Sequence, residues 1–268
     1  MATLIDNLVR AVPTWQAACR HLEGQEHRED LNVLLEIHDP LTVTESDRLV
    51  INAVDEAYRS SGKGSSISTV MNTIFPAGLY RAHGRPDFYQ RFMAVNRRTR
   101  EGTPSWGTYA QRMIQPDRDA PYSDETNQLE NLVTRLTRVA RGEVNRYTAA
   151  YEIGVVEALE DGSDADTQCG DLPLYQPCRD GNRWKGGPCL SHLTFKVDRE
   201  MRVHLTAMYR SHYYGERALG NLLGLGSLLN FVAQESGLSA GTLSCLSTFA
   251  HLDVIPLGGA ANARKLFG

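Results

Sequence analysis

Apolar positions in the last third of the chain alternate with polar ones in a regular way. Leu193, Phe195 and Val197 alternate with His192, Thr194 and Lys196. After a polar turn at Asp198-Arg199-Glu200, Met201, Val203, Leu205 and Ala207 alternate with Arg202, His204 and Thr206. Period-two alternation on both sides of a short polar turn predicts a β-hairpin. Leu222, Leu225, Leu229 and Val232 then form a stripe at helical spacing that Gly237 can terminate. Leu243, Cys245, Ser247 and Phe249 alternate again, and this places His251 and Asp253 on one face of a last strand or at its end.

The earlier pattern is mostly helical. Leu4, Leu8, Val12, Trp15 and Cys19 predict a helix within residues 2–22, interrupted by Pro13. The apolar run 31–37, stopped by Asp39-Pro40, predicts a buried strand. Residues 46–60 read as a helix with Ser46 or Asp47 as its N-cap. The run SSGKGSS at 60–66 reads as a surface loop and lacks the spacing of a phosphate-binding P-loop. Residues 67–80 predict a helix stopped or kinked by Pro76, and the aromatic and basic stretch from Pro86 predicts a solvated amphipathic helix. A further helix is expected over 126–139, with Gly142 beyond it, then a strand-like run from Asn145 to Tyr151. Residues 157–187, rich in Asp, Gly and Pro, read as a long surface excursion. With no internal repeat and no linker, the expectation is one α+β domain over 1–268, a mixed sheet packed by helices.

Composition narrows the partners more than the chemistry. The 268 residues carry a formal net charge of −4 and are 41% hydrophobic, which gives no electrostatic reason to expect nucleic acid or an anionic membrane. No apolar run is long enough to span a bilayer, and the N-terminus, with Asp6, does not read as a secretory signal. Five scattered cysteines suit a reducing compartment, so a cytoplasmic protein is expected. Cys169, Cys178, Cys189 and His192 could gather a metal, but their spacing is not that of a zinc site.

One cluster of polar residues stands out. Cys189 follows Gly-Gly-Pro, which lets backbone approach a ligand while proline fixes its direction. A free thiol has a pKa of about 8.5, so a nucleophile needs positive charge nearby, and Arg210 can supply it if the hairpin folds back beside Cys189. Each residue also has a plain structural reading. Cys189 can be core, Arg210-Ser211 a surface pair, His251 a satisfied histidine, and Asn221 a helix cap.

Taken together, the order Pro-Cys, hairpin, Arg-Ser, Gly-Asn, apolar helix and Ala-His resembles the thymidylate synthase family, best over 188–251. The resemblance implies Cys189 as nucleophile, Arg210 and Ser211 on the nucleotide phosphate, Asn221 on the pyrimidine edge and His251 on the sugar. The segment from Gly102 to Met113 resembles a Gly-Pro-x-Tyr-Gly element, with Trp106 in the tyrosine's place. Arg146 resembles an arginine that family members lend across a homodimer to the partner's phosphate, and Arg28 resembles a further phosphate arginine. The pyrimidine nucleoside monophosphate, the homodimer with a shared phosphate site and methylenetetrahydrofolate as one-carbon donor all come from this resemblance.

The chain also departs from the family's pattern. Where the family has a catalytic glutamate in an apolar Glu-Leu-Leu-Trp run, this chain has Asn72-Thr73-Ile74-Phe75. Asn72 can hold a water but cannot shuttle a proton. Tyr213 stands in place of an aspartate associated with folate, Asp253 in place of a tyrosine after Ala-His, and the chain ends at Gly268 without a counterpart of the family's longer closing segment. A nucleotide site is therefore expected more firmly than a folate site. The expected activity is methyl or hydroxymethyl transfer to carbon 5 of a pyrimidine nucleotide. The alternatives are a nucleotide-binding homologue without folate-dependent catalysis, and a cysteine hydrolase using a histidine base.

Overall fold

The sheet is assembled on its last long strand. In the computed structural model, which describes residues 2–98, 107–115, 122–123, 126–146, 171–173 and 187–268, the elements run β1 (Thr3–Leu8), α1 (Ala11–Glu23), β2 (Glu29–Ile37), α2 (Glu45–Ser61), α3 (Ile67–Ile74), α4 (Ala77–His83), α5 (Asp87–Arg98), α6 (Tyr109–Ile114), α7 (Gln128–Ala140), β3 (Asp171–Pro173), β4 (Leu190–Val197), β5 (Arg202–Tyr209), β6 (His212–Tyr213), α8 (Leu219–Ser236), β7 (Ser239–His251) and α9 (Ala260–Phe267). The strand order is β1-β2-β7-β5-β4-β3. β7 runs antiparallel to β2 and parallel to β5, and the two-residue β6 continues β5's edge along the far end of β7. This is the mixed sheet of an α+β fold.

Alternation decides which face is covered. Val33, Leu35 and Ile37 of β2, Val203, Leu205 and Ala207 of β5, and Leu243 and Cys245 of β7 are all fully buried on one face. α8 packs there, across β5 and β7, and α3 and α7 pack on α8. The opposite face carries half-buried or exposed side chains. Among them Leu34 and Met208 both register against Leu246, so three apolar residues adjoin across β2, β7 and β5.

The predicted hairpin, α2, α5, α7, α8 and the strands at 31–37 and 243–249 form as expected, and the 67–80 helix breaks at Pro76 into α3 and α4. The first helix does not fill its expected range, because Thr3–Leu8 is a strand parallel to β2. Leu4 and Leu8 share a face at period two as well as at 3.6, so spacing alone could not separate the two. Pro13 sits in the first turn of α1, where a missing N–H costs no hydrogen bond. α2 is capped by Thr44, with Asp47 as the return partner of a capping box, rather than by Ser46 or Asp47. Asn145 and Arg146 are not in a strand, and the rest of that run, with most of 157–187, lies outside the described residues.

Close approach of α8 to α3 depends on Gly220 and Gly224. A Cβ on Gly220 would stand 2.6 Å from Cβ of Val70, whereas one on Gly224 would meet Met71 and Ile74 at 3.0–3.2 Å. Alanine normally gains about 1 kcal/mol over glycine inside a helix. Overpacking against a branched side chain costs about 1–3 kcal/mol. We expect Gly220→Ala to destabilise the fold and Gly224→Ala to change it little, as read by urea midpoints at constant m-value.

Candidate active site

The hairpin and α8 meet at a cleft of about 260 Å³ at the end of the sheet. Cys189 stands at the start of β4, and its carbonyl accepts from Arg210 N–H at 2.9 Å, so the hairpin does fold back to bring Arg210 beside the cysteine. The Tyr109 hydroxyl accepts from the Cys189 and Leu190 N–H groups at 3.2 and 3.3 Å, which anchors the cysteine backbone to α6. A Cβ on Gly187 would lie 2.7 Å from the Arg210 guanidinium, so that glycine leaves room for the arginine. Burial pushes the Cys189 thiol up, and the charges of Arg210 and Arg217 offset part of the rise.

Arg217 reaches the wall from an unusual turn. Residues 214–218 form a single π-type turn that leads into α8. Its backbone groups are tied to the core. Asp253 accepts from Gly215 N–H at 2.7 Å and Glu216 N–H at 3.3 Å, Trp15 Nε1 donates to the Tyr214 carbonyl at 2.8 Å, and the Tyr58 hydroxyl donates to the Gly215 carbonyl at 2.6 Å. Gly215 lies against the Asp253 carbonyl so closely that no Cβ fits between them. Arg217 pairs with Glu216 at 2.7 Å, and both side chains line the cleft.

Asn221 is buried in the first turn of α8 and makes no capping bond. The capping alternative is therefore set aside. Its side chain faces the cleft, and Nδ2 lies 3.1 Å from His212 Nε2. His212 stacks face to face on Tyr209 at 4.0 Å, and burial pushes its imidazole down to about 3, so the ring is neutral. The Tyr209 hydroxyl at the cleft is buried with no hydrogen-bond partner among the described residues. A bound ligand or water satisfies such a group in most proteins.

Of the residues singled out by sequence, Cys189, Ser211 and Asn221 line the cleft, with Arg210 alongside. Others fall elsewhere. Asn72 is exposed on α3, and it is Val70 and Thr73, three residues apart on one helix face, that line the wall. Arg28 donates from Nε to Glu23 at 2.7 Å and is not part of the wall. Asp253 serves the turn backbone rather than opening on the cleft. His251 sits at the rim, edge-on to Tyr213 at 5.5 Å. Arg146 is half-buried and outside the wall. Trp106 lies outside the described residues, although Gly107 and Tyr109 of the same segment line the cleft. Tyr109, Tyr209, His212, Glu216 and Arg217 were not singled out. Tyr209 and His212, which flank Arg-Ser, and Tyr109, in the segment from Gly102 to Met113, stand close enough to a recognised motif to be found.

One earlier alternative weakens on this geometry. His212, the histidine of the described wall, has both ring nitrogens engaged, so a cysteine hydrolase has no free imidazole there. Among the described residues no group of three or more His, Cys, Asp or Glu side chains could hold a metal, and Cys169 and Cys178 lie outside them. No described helix is long and apolar enough to cross a membrane.

No protein-family model matches the sequence. The chain is 40% identical over 65 residues to a Methanosarcina barkeri protein named "Putative thymidylate synthase" and 42% identical over 65 residues to a protein of the same name from Methanococcoides burtonii. Each match spans 24% of this chain and about 30% of the curated relative's length. The crystal structure of thymidylate synthase from T4 phage aligns with 94% of this chain and 79% of its own, at a TM-score of 0.48 and 12% identity. Over those 65 residues the chain is similar to proteins that bear that name.

Two outcomes follow from the electrostatics. Burial raises the Asp253 carboxyl from 3.8 to about 6, so the folded state binds the extra proton between those pH values, and stability falls as pH rises through that window. Asp253→Asn should flatten that slope in denaturant titrations while an amide oxygen still accepts from Gly215. In native alkylation followed by peptide mass spectrometry, Cys189 should label ahead of the fully buried Cys19 and Cys245. Its rate should keep rising above the pH at which an ordinary thiol levels off, and Arg217→Gln should slow it at neutral pH.

Proposed function

We infer that this thymidylate synthase-like chain binds a pyrimidine nucleoside monophosphate in the cleft and activates its carbon 5 through addition of Cys189 at carbon 6. The observation that carries the reading is convergence: a thiol, two arginines and a buried carboxamide meet at one cleft of about 260 Å³. That size is near the low end of the roughly 300–1,000 Å³ of small-molecule sites and suits one mononucleotide.

The chemistry follows from the groups present. The Cys189 thiolate forms an Sγ–C6 bond as the C5=C6 π pair moves through C5 toward the 4-oxygen, giving an enolate. An Nδ2–H of Asn221 stabilises the oxygen that gains charge. The carbon-5 pair then takes a one-carbon electrophile, carbon 5 loses its proton, and elimination returns the thiolate. Arg210 and Ser211 hold the phosphate, each charge-assisted bond being worth about 1.5–3 kcal/mol. His251 at the rim serves the sugar.

Glu216 is the carboxylate of the described wall, and it is the group placed to move the carbon-5 proton where Asn72 and Thr73 cannot. Methylenetetrahydrofolate is the one-carbon donor that the resemblance suggests. The cleft suits one mononucleotide, and exposed Tyr213 occupies the position of the folate-associated aspartate, so the described residues do not fit a folate. Methyl and hydroxymethyl transfer share everything up to the enolate. A second reading, a nucleotide-binding homologue without transfer activity, is favoured by one observation: α3 brings Thr73 rather than a carboxylate to the wall.

Pairing of two chains accounts for the open sheet face. Leu34, Leu246 and Met208 form an apolar strip there, which a second copy would cover isologously, and Arg146 would then reach the partner's phosphate. The test is thermal unfolding with UMP, dUMP, CMP or dCMP, each with and without methylenetetrahydrofolate, alongside Cys189 alkylation. We expect a uridine nucleotide alone to raise the melting temperature and shield Cys189. No shift with any pyrimidine nucleotide and equal labelling of Cys189 would overturn the reading. Stabilisation without any product in the presence of folate would favour the binding homologue.

A further inference from the structure

Four polar side chains from four elements form a continuous chain inside the core. Asn221 Nδ2 on α8 lies 3.1 Å from His212 Nε2 on β6, His212 Nδ1 lies 3.0 Å from Ser247 Oγ on β7, and Ser247 Oγ lies 3.1 Å from the Tyr214 hydroxyl in the π-type turn. Ser247 and Tyr214 are fully inaccessible, and His212 and Asn221 nearly so, at 1% and 5% exposure. Stacking on Tyr209 at an interplanar angle of 4° holds the imidazole plane.

The donor and acceptor roles along this chain are determined by its chemistry. A carboxamide nitrogen only donates, so His212 Nε2 accepts and the single imidazole proton sits on Nδ1. Ser247 Oγ receives that proton's hydrogen bond, and Ser247 in turn is paired with Tyr214. Asn221 keeps one Nδ2–H and its Oδ1 for the cleft. Were the proton on Nε2 instead, Nδ1 would accept from Ser247 and the carboxamide would turn over to present Oδ1 to the ring. The donor and acceptor that Asn221 offers a ligand would then exchange places. A 4-oxo pyrimidine needs a donor at its 4-position and an acceptor at N3–H, and a 4-amino pyrimidine needs the reverse.

We propose that His212, with its proton held on Nδ1 by Ser247, fixes the Asn221 carboxamide in the orientation that selects a 4-oxo over a 4-amino pyrimidine. His212 and Ser247 are thus positioning residues for base choice, acting through Asn221. This inference rests on the nucleotide reading above. It differs from that reading in assigning the choice of base to the relay behind the carboxamide as well as to the carboxamide itself.

Two measurements test it. Long-range proton–nitrogen correlation spectra of the unliganded, histidine-labelled protein, with His212 assigned by loss of its signals in His212→Gln, should show the Nδ1–H tautomer. An Nε2–H tautomer would overturn the proposal without reference to any nucleotide. Calorimetric titration of UMP and CMP should show a uridine preference in the parent protein that falls about tenfold or more in Ser247→Ala, since the imidazole proton is then free to move to Nε2. A merely structural role for Ser247 would weaken both nucleotides alike and leave the ratio unchanged, which overturns the relay alone. A parent protein that prefers CMP contradicts the assigned orientation. One that binds neither nucleotide removes the nucleotide reading, and base choice with it.

Discussion

The turn at residues 214–218 has backbone groups that neither the α8 helix nor the β6 ladder takes up, and the site exists because buried side chains take them up instead. Asp253 from the segment after β7, Trp15 from α1 and Tyr58 from α2 each bond to this turn from inside the core. Leaving such groups unpaired would cost about 1–3 kcal/mol each. Once pinned, the turn aims Glu216 and Arg217 into the cleft and starts α8 so that Asn221 is buried facing His212. The Asp253 carboxylate pairs with two N–H groups but remains buried, which raises its pKa to about 6. The anchor is therefore part of the site's electrostatics as well as of its shape.

The electrostatics of the cleft set two opposing demands on Cys189. Burial favours the neutral thiol, and Arg210 and Arg217 favour the thiolate, with burial the larger influence in the free protein. A bound phosphate would neutralise part of the arginine charge. Glu216, the carboxylate of the described wall, is itself ion-paired with Arg217 at 2.7 Å.

Legibility in the sequence followed the range of the interactions. The hairpin, α8 and β7 were readable because alternation and helical stripes are local and their one-sided burial is real. Cys189, Ser211 and Asn221 were readable because they stand in a recognisable order on those elements. What escaped reading depends on contacts across the chain. β1 is a strand because β2 lies beside it, and the π-type turn exists because Trp15, Tyr58 and Asp253 meet it from 38 to about 200 residues away in sequence. Asn72 was a misplacement of one position: α3's register against α8, set by Gly220 and Gly224, turns Val70 and Thr73 to the cleft. Asp253 and Arg28 carry charge for structural reasons that only their partners disclose.

The central claim is that the Cys189 thiolate adds to carbon 6 of a bound pyrimidine nucleotide. Such addition makes carbon 5 exchangeable with solvent before any one-carbon unit is involved. The most direct measurement is proton NMR of UMP or dUMP incubated with the protein in deuterated buffer, following the carbon-5 hydrogen against the carbon-6 hydrogen as internal reference. The account expects loss of the carbon-5 signal with the parent protein and none with Cys189→Ser. A nucleotide that binds in the cleft yet keeps its carbon-5 hydrogen indefinitely would contradict it.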